Sequence, residues 1–176
     1  MRICGGMWRS RVLRFADAEG LRPTPDRVRE TLFNWLGQEL HGLKCLDLFA
    51  GSGALGFEAA SRGAASVVMV ENHQPTYRAL VENAKLLNST QIQIERSDAL
   101  NFLSTNQQLF DVIFLDPPFH QHWIEKLMPQ IAENLASNGL VYVESETAFI
   151  ASESWKIHKQ GKAGAVHYHL LKLRNL

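Results

Sequence analysis

The chain has 176 residues, of which 45% are apolar, 9% aromatic and 20% charged, the profile of one compact domain able to bury a sizeable core. No stretch approaches the roughly 18 uninterrupted apolar residues of a spanning helix, and the opening Met1-Arg2-Ile3-Cys4-Gly5-Gly6-Met7-Trp8-Arg9 lacks the apolar run of a signal peptide, so a cytoplasmic protein without a membrane partner is expected. The 18 basic and 18 acidic side chains cancel, which taken whole argues against a nucleic-acid partner.

Residues 1–15 alternate around Gly5-Gly6 and predict an extended arm or hairpin. A helix is expected next, with Thr24 as N-cap and Pro25 in the first helical position, because Val28, Leu32, Trp35 and Leu36 recur at three- and four-residue spacing. After Gly42 come short apolar runs: Cys45 to Phe49, Val67 to Val70, Ile92 to Ile94, Val112 to Leu115 and Leu140 to Val143. Between them the pattern is helical, near 54–61, 75–87, 99–104 and 122–135. Strands buried on both faces read this way, and their alternation with helices implies βαβ units in a parallel sheet. From Trp155 to Leu173 two strand-like pieces flank Gly161 and Gly164, which fits a closing antiparallel hairpin. There is no repeat and no linker, so residues 23–176 form one domain behind a short basic extension, residues 1–22.

The charges are unevenly placed. Residues 1–14 hold Arg2, Arg9, Arg11 and Arg14 with no acid, and residues 156–176 hold five basic residues with no acid, so the middle of the chain carries a net charge of minus nine. Basic ends of this kind either solubilise the chain or contact a polyanion such as RNA. Arg22, Arg27 and Arg29 could meet RNA phosphates or the ligand, or pair with Asp26 and Glu30. Trp8 could stack on a base or pack in the core. Cys4 and Cys45 have no metal-ligand spacing, and His120, His122, His167 and His169 lack an acid or thiol partner at ligand spacing, so no metal is expected.

The chemistry falls at the ends of the apolar runs, where open α/β sheets bind ligands. The first run leads into Asp47-Leu48-Phe49-Ala50-Gly51-Ser52-Gly53-Ala54-Leu55-Gly56, in which Gly51, Gly53 and Gly56 satisfy a dinucleotide-type glycine pattern. The second ends at Glu71, placed to accept hydrogen bonds from ribose hydroxyls, and the third is followed by Asp98. An acid at three successive strand ends suits S-adenosylmethionine, which carries positive charge and no phosphate; each acid taken alone also suits a helix cap. The fourth run opens into Asp116-Pro117-Pro118-Phe119, where two prolines hold an extended loop. There the Asp116 carboxylate and the Pro117 carbonyl can accept from a nucleobase amine while Phe119 offers a stacking face.

These motifs resemble a class I S-adenosylmethionine-dependent methyltransferase of the amino-group type. With Gly6-Met7-Trp8-Arg9, Gly20-Leu21-Arg22-Pro23-Thr24, the stretch Asp26 to Leu36 and Gly139 to Glu144, the chain resembles the bacterial RsmD family over nearly its whole length. The resemblance implies a Rossmann-like α/β fold with a mostly parallel seven-stranded sheet, a C-terminal antiparallel hairpin and a short N-terminal β-extension. It implies transfer of a methyl group to the N2 amine of a guanine in 16S ribosomal RNA, on the small subunit, by a monomer. Asp116, Pro117, Pro118 and Phe119 are then catalytic. The cofactor falls to Asp47, Phe49, Ala50, Gly51, Ser52, Gly53 and Gly56, followed by Glu71, Asn72, Asp98 and Ala99. RNA falls to Arg2, Arg9, Arg11 and Arg22. An adenine-N6 or other amino methyltransferase shares the loop, and an NAD-dependent oxidoreductase shares the glycines and Glu71.

Overall fold

The computed structural model describes residues 1–15, 21 and 23–174. In chain order the elements are α1 (Asp26–Trp35), β1 (Lys44–Asp47), α2 (Ala54–Ser61), β2 (Ser66–Val70), α3 (Gln74–Leu86), β3 (Ile92–Glu95), α4 (Ala99–Thr105), β4 (Phe110–Leu115), α5 (Trp123–Glu133), β5 (Leu135–Ser145), β6 (Trp155–Ala163) and β7 (Val166–Leu173). Among the described residues seven strands form one sheet, ordered β3-β2-β1-β4-β5-β7-β6. The first five are parallel, and β7 enters antiparallel between β5 and β6. The expected hairpin is therefore present, and β6 ends up as the outer strand.

Burial explains the apolar runs. One core, including Leu32, Phe33, Val67, Met69 and Phe114, lies under α1, α2 and α3, and a second, including Leu46, Val68, Ile113, Leu127 and Val141, lies under α4 and α5. The central strands meet both, so neither of their faces alternates with polar residues. The chain order reverses at β1, which neighbours both β2 and β4, and the crevice beyond the carboxyl ends of those strands is where such sheets bind ligands.

The N-terminal segment folds back on itself as the expected hairpin-like arm. Arg2 and Val12 form an antiparallel bridge, flanked by the Ile3 N–H donating to the Arg11 carbonyl at 3.0 Å and the Leu13 N–H to the Met1 carbonyl at 2.8 Å, and the connecting residues pack across α2. All eight residues of α2 are buried, Glu58 among them, and the Glu58 carboxylate accepts from the Cys4 and Gly5 N–H groups at 2.9 and 2.8 Å. Gly6, at φ 76°, passes so close that a Cβ there would lie 1.9 Å from the Ser61 carbonyl oxygen. Ile3, Trp8 and Leu13 pack into the core, which settles Trp8 as a packing residue. The segment is thus part of the same core as the sheet, and its end at residue 22 lies outside the described residues. Cys45 is buried and its thiol is pushed up to about 12 by desolvation, whereas Cys4 is half-buried.

The start of α1 differs by one residue. Pro25 occupies the cap position and no side chain caps the helix; Thr24 is buried and its hydroxyl donates to Glu144 at 3.3 Å. Arg29 is buried as well and pairs with Asp26 and Glu58 rather than Glu30, which removes it from any RNA surface.

Candidate active site

Two loops define the site, and the first follows β1. Gly53 sits at φ 80° as the cap of α2, and a Cβ there would lie 2.5 Å from the Phe57 ring, so the turn requires glycine. In place of a side-chain cap, Asp47 at the end of β1 accepts from the Gly56 N–H through Oδ2 at 2.9 Å. Burial pushes the Asp47 carboxyl up to about 7; the Gly56 N–H opposes this, while the negative charges of Glu71 and Glu144 add to it. Glu71, at the end of β2, is half-buried and ties the loops together, accepting from Gly51 N–H at 3.0 Å and His73 N–H at 2.8 Å. Asp98 accepts from Asn101 N–H at 2.9 Å and so caps α4, with Ala99 buried behind it. Ala50 and Ser52 are buried, Phe49 is half-buried with its ring edge-on to Trp123 at 5.6 Å, and Asn72 is exposed beside Glu71.

The second loop follows β4. Asp116 is half-buried, Pro117 buried, and Pro118 and Phe119 exposed. A cavity of about 190 Å³ separates Pro117, Phe119 and Trp123 from Glu144, Ser145 and Thr147. The loop is latched to the end of β5: Glu146 accepts from the His120 N–H at 3.1 Å through Oε2 and contacts the His120 ring Nδ1 at 2.9 Å through Oε1. A wider hollow of about 590 Å³ along the β3 edge is lined by Val81, Lys85, Ile92 and Ile94 and holds none of these groups.

Glu144 belongs to this site although its chemistry was not read from the sequence. The β4–β5 register pairs Leu115 with Val143, so the next residues, Asp116 and Glu144, emerge side by side. Glu144 Oε1 accepts from Tyr142 Oη at 2.9 Å and from Thr24 Oγ1 at 3.3 Å. Burial holds Asp116 well above the usual carboxylate range, and the charges of Glu144 and Asp47 raise it further. Glu144 is raised by burial too, partly offset by its two hydroxyl donors. Its signal was an acid closing the apolar run Val141-Tyr142-Val143, as Asp47 and Asp116 close theirs.

The donor set fits S-adenosylmethionine. Asp47, Asp116 and Glu144 are carboxyls whose ionised forms are penalised in the protein alone, so a cation between them is favoured at low local dielectric. Among the described residues no group of His, Cys, Asp and Glu has the arrangement of a metal site.

The candidate RNA residues are placed differently. Met7 N–H donates to Ser61 carbonyl at 2.8 Å and Arg11 Nη2 to Leu86 carbonyl at 3.2 Å, and both carbonyls lie at the C-terminal ends of their helices. Those helices run antiparallel to the strands, so exposed Arg9 and Arg11 sit at the end of the sheet opposite the Asp116 loop. Exposed Arg2 is bonded through Nη1 to Ser10 carbonyl in the same segment. Arg22 lies outside the described residues. On β6, Lys162 is level with Ser145 at the cavity end, and Lys156 is level with Lys172 at the other.

Comparison with known proteins adds to this geometry. The profile of a family described as Conserved hypothetical protein 95 matches residues 1–172. A Haemophilus influenzae protein named ribosomal RNA small subunit methyltransferase D is 45% identical, covering 97% of this chain and 92% of its own. The Escherichia coli K12 protein of the same name is 41% identical over 97% of this chain and 88% of its own. A solved structure described as a putative methyltransferase from Escherichia coli superposes with a TM-score of 0.89 at 41% identity, covering 99% of this chain and 97% of that one.

Proposed function

We propose the reaction from the premise that the chain belongs to the RsmD family of ribosomal RNA small subunit methyltransferases: it transfers a methyl group from S-adenosylmethionine to the N2 amine of a guanine in 16S ribosomal RNA. The observation that carries the choice of an amine is the Asp116-Pro117-Pro118-Phe119 loop, rigid, beside the switch point of the sheet and facing a second acid across a cavity. Acceptors at fixed positions are what a weakly nucleophilic exocyclic amine needs.

The cofactor, when bound, supplies a methyl carbon activated by the attached sulfonium. Glu71 and Asp98 are the residues to hold its ribose and adenine, and Asp47, behind the glycine loop, the one to offset its positive charge. Asp116 accepts one amine N–H and the Pro117 carbonyl the other, which turns the nitrogen lone pair toward the methyl carbon. The methyl carbon would exchange its bond to sulfur for one to the amine nitrogen, and the Asp116 carboxylate is the group to take the proton that this nitrogen then sheds. A carboxyl held well above its usual range is a better base near neutrality than an exposed one. Phe119, exposed on the rim, stacks on the extruded base.

We further infer a cytoplasmic monomer that meets its target in the assembled small subunit, with Arg9 and Arg11 contacting RNA away from the reacting nucleotide. Ribosomal RNA from cells lacking the protein, and from the same cells rescued by it, tests the reading by mass-spectrometric mapping. A methyl group that returns on a guanine N2 is the expected result; one that returns on an adenine N6 would replace the guanine reading with the alternative the loop also permits.

A further inference from the structure

We propose that Glu144 is the specificity-determining residue that reads the target base as a guanine, by accepting its N1–H through the carboxylate oxygen left free by Tyr142 and Thr24. The inference rests on the guanine-N2 reading and asks what in this chain would enforce it. Three observations meet at Glu144. The β4–β5 register sets it beside Asp116. It lines the same cavity as Pro117 and Phe119, into which a base must come. Both of its hydrogen bonds fall on Oε1, from Tyr142 at 2.9 Å and Thr24 at 3.3 Å, and among the described residues no donor is bonded to Oε2.

Two hydroxyl donors on one oxygen fix the plane of the carboxyl and offset part of the burial penalty on its ionised form; with the cofactor's positive charge nearby, that form, which accepts and cannot donate, is the one the base would meet. A buried carboxylate with one satisfied oxygen has a strong preference for a donor at the other. The edge of guanine that carries the N2 amine has two donors side by side, N1–H and N2–H. Adenine and cytosine place a ring-nitrogen lone pair next to their amine. If Asp116 holds the amine, the neighbouring carboxylate meets N1–H in guanine and a lone pair in the others. A site built around a hydrogen bond rejects analogues that cannot make it far more strongly than an apolar pocket does. Asp116 alone cannot discriminate, because all three bases offer it an amine.

The test separates the N1–H from the amine by using 2-aminopurine, which keeps the C2 amine but has a bare N1. Small subunits are reconstituted with 16S RNA that carries either guanosine or 2-aminopurine at the mapped position, and kcat/KM is measured for both. Wild-type protein should prefer guanosine by about 100-fold or more. Glu144→Gln, which can turn an amide N–H toward a bare N1, should lose activity on guanosine while holding or gaining on 2-aminopurine, so that the preference shrinks at least tenfold. Thr24→Ala and Tyr142→Phe remove the Oε1 donors without entering the cavity, and each should narrow the same ratio by a smaller factor. Loss of activity on both substrates by one factor, in a Glu144→Gln protein that still binds cofactor, would make Glu144 structural and overturn the proposal. If Glu144→Gln fails to bind cofactor, the ratio in the other two variants decides, and an unchanged ratio in both refutes it. If wild-type protein leaves guanosine subunits unmethylated, it is the guanine reading that fails.

Discussion

The protonation of Asp47 makes cofactor affinity depend on pH in a direction the structure specifies. Burial and two neighbouring acids raise its carboxyl from 3.8 to about 7 in the protein without ligand. A cation in the site favours the ionised form, so binding drives proton release and affinity rises with pH through about 7, levelling off above about 8. At pH 6 a carboxyl titrating near 7 is about nine-tenths protonated, so binding that needs the carboxylate is about tenfold weaker than its high-pH limit, equivalent to about 1.4 kcal/mol. Calorimetric titration with S-adenosylmethionine from pH 6 to 8.5, in buffers of different ionisation enthalpy, reads both affinity and protons released. Asp47→Asn is the control: an amide oxygen can still accept from the Gly56 N–H, so the loop stays capped, and the ligand's own titration is common to both proteins. The variant should lose the slope between pH 6 and 8 that wild type shows. Without ligand the sign reverses for stability. A carboxyl raised in the folded state costs stability as pH climbs from about 4 to about 7, here by up to about 4 kcal/mol. Asp47→Asn should therefore melt higher than wild type at pH 8. Equal slopes in the two proteins, or an Asn variant that melts lower at pH 8, would refute Asp47 as the titrating group.

Asp116→Ala should lower kcat by about 100- to 1000-fold and leave cofactor affinity within a few-fold, checked by single-turnover methylation beside calorimetric binding. Glu58→Gln breaks a fully buried carboxylate away from Arg29, Arg62 and two N–H groups of the N-terminal segment. It should destabilise the protein by about 3 to 5 kcal/mol in urea unfolding and expose residues 1–12 to hydrogen exchange. Replacing Arg9 and Arg11 together by Ala should raise KM for the RNA substrate and flatten the salt dependence of binding while sparing kcat, because both lie at the end of the sheet away from Asp116. A fall in kcat with KM unchanged would contradict that placement.

The sequence determined by itself the alternation of strands and helices, the closing hairpin, the glycine turn before α2 and the rigid loop after β4. These are properties of short stretches. A run such as Val112 to Leu115 is apolar throughout because both faces are covered, and paired prolines constrain a backbone wherever they stand. The nature of the cofactor was legible for a similar reason, since strand ends in a parallel sheet converge and acids there share one ligand. Tertiary structure alone decided which distant groups meet. Thr24 has the local chemistry of a helix cap, yet the helix begins one residue later with Pro25 at the cap, and the Thr24 hydroxyl donates instead to Glu144, 120 residues on, a buried acceptor that only the fold brings within its reach. Arg9 and Arg11 read as free charges, but Glu58 and the core under α2 pull their segment to the far end of the sheet. The pairing of Asp116 with Glu144 depends on the β4–β5 register, a relation between strands that no periodicity within either strand encodes.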